Sequence, residues 1–226
     1  MAIKFVSSGN STTTGNASTR TFTVDSSTGR NRLIVVGMGD AQPGGAIATV
    51  TSATYGGVSL KQAVYVQDEV DDPSVSCEIW YLFNPPAGSN TVSVTFSSSI
   101  KAIVGAACYT GVKSTGIGNT NSTFGTGDLS TTIATTQYGS LVFGLYNQIG
   151  IAQTITPGAN INTRWAFATS GGDDSENVRA YGTDKFATNN STYTMDYTST
   201  TGEASCLAAV EFLAAKSMSM SRGQII

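Results

Sequence analysis

Three stretches of this chain are apolar on both faces when read as β-strands. Leu33-Ile34-Val35-Val36, the run from Ile103 to Tyr109, and Leu141-Val142-Phe143-Gly144-Leu145-Tyr146 lack polar alternation. A strand with one wet face alternates with a period of two, and in a two-sheet sandwich each strand buries one face only. The second face of such strands therefore needs a loop, a further layer or another chain over it. The same question arises in CEIWYLF, residues 77–83, where Trp80 and Leu82 stand opposite Cys77, Ile79, Tyr81 and Phe83. Burying one Trp side chain removes about 150–250 Å² from water, roughly 4–6 kcal/mol at about 25 cal/mol per Å². Leaving several such faces wet would be costly, so Trp80 and Leu82 are expected to face a neighbouring molecule.

The rest of the chain has the same strand character. Short apolar-alternating runs are separated by clusters of Gly, Ser, Asn, Thr and Asp throughout. This spacing predicts an all-β fold, a single jelly-roll-like antiparallel β-sandwich of two sheets over residues 1–213. Gly56-Gly57 joins VTSATY to VSLKQAVYV as a two-residue hairpin. Pro85-Pro86-Ala87-Gly88 marks a bend, since proline cannot donate to a ladder and glycine accepts positive φ. The run ASCLAAVEFLAAK, 204–216, has helix-favouring Ala, Leu and Glu, but its β-rich surroundings tilt it to strand. No repeat is obvious between the two halves, and no Pro/Gly linker divides them.

Charge excludes several functions. Only 12% of the 226 residues are charged, about half the usual share, and 27 Ser and 32 Thr take up much of the difference. The net charge is −3, and the densest cationic spot is Arg30 with Arg32. Neutralising phosphates takes clustered cations, so neither nucleic-acid binding nor lining a genome-filled shell is expected. No run approaches the roughly 18 apolar residues that a spanning helix needs. The N-terminal stretch MAIKFVSSGNSTTTGN has no apolar core of a signal peptide. Cys77, Cys108 and Cys206, odd in number and irregularly spaced, read as reduced core residues, with a single bridge plus one free thiol as the alternative.

The chemistry of catalysis is largely missing. The sequence has no histidine, which removes Ser-His-Asp and Cys-His activation and imidazole metal ligation. No Cys-x-x-Cys and no phosphate-binding glycine motif occurs. Acids cluster at Asp68, Glu69, Asp71 and Asp72, and again at Asp173, Asp174 and Glu176. They read as solvated loops, with a Ca²⁺ site through hard oxygens as the alternative. Neither a catalytic residue nor a cofactor or metal site is expected. Trp80 and Trp165 could offer sugar-stacking faces, against a simpler reading as packed residues. The segment KSMSMSRGQII places Met218, Met220, Ile225 and Ile226 in a tail, 214–226, that could pair along a neighbour's sheet edge.

VTSATYGGVSL at 50–60, EIWYLFNPPAGSNTVSVTFS at 78–97 and AIVGAACYTGV at 102–112, with RLIVVGMG in front, resemble a β-sandwich domain family. Its members are phage virion proteins and modules of bacterial surface proteins. The resemblance covers roughly residues 31–112, and its motifs are structural: a Gly-Gly hairpin, an aromatic strand, a Pro-Pro-Ala-Gly turn. It implies a non-enzymatic, jelly-roll-like domain used for display or attachment. The expectation is a virion structural protein of a tailed phage, a capsid decoration or cement protein or a head or tail accessory. Made in the host cytoplasm without a signal peptide, it would reach the outside in the virion. Its partners would be itself, as a homo-oligomer with a trimer favoured by analogy, and other virion proteins, with no nucleic acid and no membrane. A carbohydrate-binding, lectin-like attachment module with a glycan partner is the alternative. Trp80, Leu82, Met218, Met220, Ile225 and Ile226 are the interface candidates.

Overall fold

The structure is a computed structural model, and it describes residues 2–42, 48–68, 73–171 and 176–216. It is all-β and antiparallel, as the spacing predicts, with no α-helix among the described residues. The first half contains β1 (Lys4–Asn10), β2 (Ala17–Asp25), β3 (Leu33–Gln42), β4 (Val50–Tyr55), β5 (Val58–Ser59), β6 (Lys61–Asp68), β7 (Ser74–Phe83), β8 (Ser89–Ile100) and β9 (Ala102–Thr110). The second half contains β10 (Thr120–Thr126), β11 (Leu129–Ala134), β12 (Leu141–Ile149), β13 (Ile155–Pro157), β14 (Asn162–Ala168), β15 (Val178–Phe186), β16 (Thr192–Ser199) and β17 (Ala204–Phe212).

Instead of two sheets there are four. An inner sheet ordered β1-β9-β3-β7-β6 lies under an outer sheet ordered β2-β8-β4-β5. A second inner sheet, β10-β17-β12-β15-β14, carries its own outer sheet, β11-β16-β13. The pairing is nested in both halves. β1 pairs with β9, β2 with β8, β3 with β7 and β4 with β5; likewise β10 pairs with β17, β11 with β16 and β12 with β15. Each half is thus one long antiparallel ribbon folded on itself, and the strand order repeats although the residues do not. Even the irregularity repeats: the edge strand bulges between Gln62 and Val64 in one half and between Thr163 and Trp165 in the other.

The two-sided strands are explained by this layering. On β3, Leu33 and Val35 enter the core between the two inner sheets, while Ile34, Val36 and Met38 enter the core beneath the first outer sheet. On β12, Leu141, Phe143 and Leu145 face the first half, and Val142 and Tyr146 face the second outer sheet. The chain covers its own surplus apolar surface. The expected need for a neighbouring molecule over these strands is corrected: the third layer belongs to the same polypeptide. The ambiguous run 204–212 is a strand with every residue buried. Burial on both faces overrides its helix propensity.

Local signals behave as chemistry requires at the hairpin. Gly56 and Gly57 have φ of 55° and 79°, and Tyr55 pairs with Val58 across them, the two positive angles a tight twisted hairpin demands.

Two features lock the halves together. Trp165 is only 5% exposed, and its indole lies in a slot left by Gly37, Gly105 and Gly182 on three different strands. A methyl group at 105 or 182 would overlap the ring, and one at 37 would come within 3.0 Å of it. The indole Nε1 has no hydrogen-bond partner among the described residues. Beside it, the fully buried Asp184 accepts hydrogen bonds from Arg164 Nε at 2.5 Å and Nη2 at 2.8 Å, from Asn162 at 3.0 Å and from the Tyr109 hydroxyl at 2.7 Å. Arg164 also stacks 4.1 Å over the ring of Phe5. Tyr109 and Phe5 belong to the first half, so this network spans the junction.

Candidate interaction surfaces

Trp80 and Leu82 lie on the outer face of β7, half-buried and packed on the core beneath the first outer sheet. They are contacts of the chain with itself, not freely projecting side chains. The Trp80 indole donates to Glu78 Oε2 at 2.8 Å, and Gln62 donates to the same oxygen at 2.8 Å. Tyr65, 43% exposed, lies on the neighbouring edge strand opposite Glu78. Burial raises the Glu78 carboxyl above its usual range against these two hydrogen bonds.

The same face carries a second buried acid. Asp40 is 3% exposed; Ser76 donates to its Oδ1, and its Oδ2 has no partner among the described residues. Burial pushes this carboxyl up to about 7, opposed by the Ser76 hydrogen bond and reinforced by the charge of Glu78. The folded chain therefore holds this proton more tightly than the unfolded one. Stability falls as pH rises from the ordinary carboxyl range towards 7, and levels off above it. Asp40→Asn should remove most of this loss and leave the variant about 1–3 kcal/mol more stable than the wild type at pH 8. Urea midpoints for both proteins at pH 4.5 and pH 8 test it, and equal slopes would refute it. Glu78 titrates with the same sign, so a smaller dependence should remain.

An apolar groove opens elsewhere, beside the C-terminal end of the described residues. Ala2, Ile3, Tyr138, Phe186, Ala214 and Lys216 line a groove of about 490 Å³. Tyr138 on its wall is 70% exposed, the largest exposure among the big apolar side chains described. The chain is held there by a short ladder. Val112 bridges Ala214, Lys113 N–H donates to the Leu213 carbonyl at 2.7 Å, and Ala215 N–H donates to that of Gly111 at 2.8 Å. Gln137 adds a 2.7 Å bond to the Ala214 carbonyl. These bonds hold residues 213–215 against the body of the molecule. Met218, Met220, Ile225 and Ile226 lie outside the described residues.

The other sequence candidates separate. Trp165 is enclosed by the chain, which removes it as a sugar-stacking face. Asp68 is buried at 1% exposure, not solvated. Glu176 pairs with Lys101 at 3.4 Å, and Glu69, Asp71, Asp72, Asp173 and Asp174 lie outside the described residues. Among the described residues no group of three or more acids and cysteines converges as a metal site would. Neither Asp40 nor Tyr138 was singled out by the sequence. One is a lone acid at the end of an apolar strand, the other a lone aromatic between turns. Comparison with known proteins finds no matching family model, no matching curated protein and no matching solved structure.

Proposed function

We propose that this chain is a non-enzymatic structural protein of a tailed-phage virion, a capsid decoration or a head or tail accessory, that works through contacts between copies of itself. The observation that carries the reading is the nested strand pairing of the first half, with β1-β9-β3-β7 facing β2-β8-β4-β5. That order supports jelly-roll wiring, an architecture whose recurrent hosts are viral capsid and lectin domains. The argument is one of fold analogy. The groove beside Tyr138 adds a site to it. Its occupant, in this reading, is the Met- and Ile-bearing tail, residues 217–226, of a neighbouring copy; Lys216, the residue that precedes this tail, lines the same groove. A cyclic exchange of tails gives a closed assembly, as in the trimer favoured by analogy.

The test is static light scattering on the intact protein, on a chain truncated after Lys216 and on Tyr138→Asp. The intact protein should run as an oligomer at micromolar concentration, with both variants shifted to monomer. An intact protein that is already monomeric, or a truncated one that assembles unchanged, would overturn the arrangement. The second reading, a carbohydrate-binding module, draws on Tyr65, Trp80, Gln62 and Glu78 on the outer face of β6 and β7. A monomer that binds a glycan array, and loses that binding on Trp80→Ala, would favour it.

A further inference from the structure

We infer that Cys77 and Cys206 form a disulfide under oxidising conditions and so tie the two halves of the molecule covalently. Both thiols project into the core between the inner sheets, Cys77 from β7 and Cys206 from β17, and both are fully buried. The Cys206 thiol points at Cys77 Sγ with the sulfurs 2.8 Å apart. Cys77 points in turn at the backbone of the second half, 3.1 Å from the Cys206 carbonyl and 3.6 Å from that of Leu145. A disulfide needs its sulfurs at about 2.05 Å, so the two sulfurs stand within about 1 Å of bonding distance. The two residues are 129 positions apart in sequence, so the covalent loop runs from β7 through β8 and β9 and around nearly the whole second ribbon.

The third cysteine defines the specificity. Cys108 lies in the core beneath the first outer sheet, on the opposite face of the first inner sheet. The inner sheet stands between it and the pair, so only one of the three pairings is available to the folded chain.

The reaction is thiol–disulfide exchange with a small-molecule disulfide of the glutathione class. One protein thiolate attacks the reagent's S–S bond and releases one small thiol, leaving a mixed disulfide. The second protein thiolate attacks that bond and releases the other small thiol. The two electrons lost by the cysteines reduce the reagent, and the two protons end on the released thiols. Burial pushes the Cys206 thiol well above its usual range. The thiolate needed for attack is thus scarce in the closed molecule, and the bond forms as the two inner sheets come together during folding.

The experiment refolds the intact chain from urea, once with a mixture of oxidised and reduced glutathione and once with excess reductant. Thiols are then alkylated under denaturing conditions and counted by mass. The reduced sample should take up three alkyl groups and the oxidised sample one, located on Cys108 by peptide mapping. Thermal unfolding of the oxidised sample should lie about 10 °C higher. Cys108→Ala should leave the bond in place, whereas Cys77→Ala or Cys206→Ala should abolish both it and the thermal shift. Three alkylated cysteines in protein refolded with oxidised glutathione would overturn the inference. So would a mapped bond that includes Cys108, which the wild-type sample alone can reveal whether or not a variant folds.

Discussion

Asp184→Ala should lower the stability of the folded protein by about 3–5 kcal/mol, the cost of leaving a buried charge without its partner. The carboxylate is fully enclosed and takes four hydrogen bonds, two of them in a fork from Arg164. Its removal strands a guanidinium that is itself only 16% exposed, together with the Tyr109 hydroxyl. The double variant Arg164→Met with Asp184→Ala should recover a large part of the loss, since no unpaired charge then remains. Urea unfolding of the two single variants and the double variant measures this coupling directly. A cost below about 1 kcal/mol for Asp184→Ala would mean that water reaches the pair and screens it.

The second large effect is expected at the indole slot. Trp165→Ala should cost about 3–5 kcal/mol through lost burial and the cavity left between the inner sheets. Gly105→Ala should also be severe, because its methyl group would occupy space held by the ring and the core cannot yield. Combined, the two should be far less damaging than their sum, since the methyl group then enters the cavity. Circular dichroism melts of the four proteins in this cycle give the sign. Additive losses would show that glycine is required at 105 by the backbone and not by the ring.

Much of the fold is legible in the sequence because strand periodicity is a local signal. β3, β9 and β12 announce their double-sided burial, and the Gly-Gly hairpin announces its turn type. What covers those strands is not local. The longer strands of the first half's outer sheet, β2, β4 and β8, each alternate like any strand with one wet face, so nothing in them tells which inner strand lies beneath. Assigning that cover to a second molecule follows naturally and is mistaken. β10, TNSTFGT, escapes detection altogether because an edge strand rich in hydroxyls needs no dry face; none of its residues is buried, and even Phe124 is 47% exposed. The repeated strand order leaves no readable trace for a related reason. A folded ribbon demands alternation and turns at suitable intervals, and many unrelated residues meet that demand. Of the candidate surfaces, Trp80 was visible as a bulky residue on the wrong face, whereas Tyr138 becomes notable only once Ala2, Ile3, Phe186 and Ala214 converge beside it.

The position of β17 sets a timetable for synthesis. This strand lies between β10 and β12, so neither can be joined to the other until residue 212 has cleared the ribosome. The first half can zip up as soon as β9 emerges, but the broad greasy flank it presents to the second half must wait for roughly a further hundred residues. A nascent chain with such a flank open is prone to clumping with its neighbours on the same message. Slow, long-range closure of this kind makes growth temperature and translation rate the first conditions to adjust when the protein is produced.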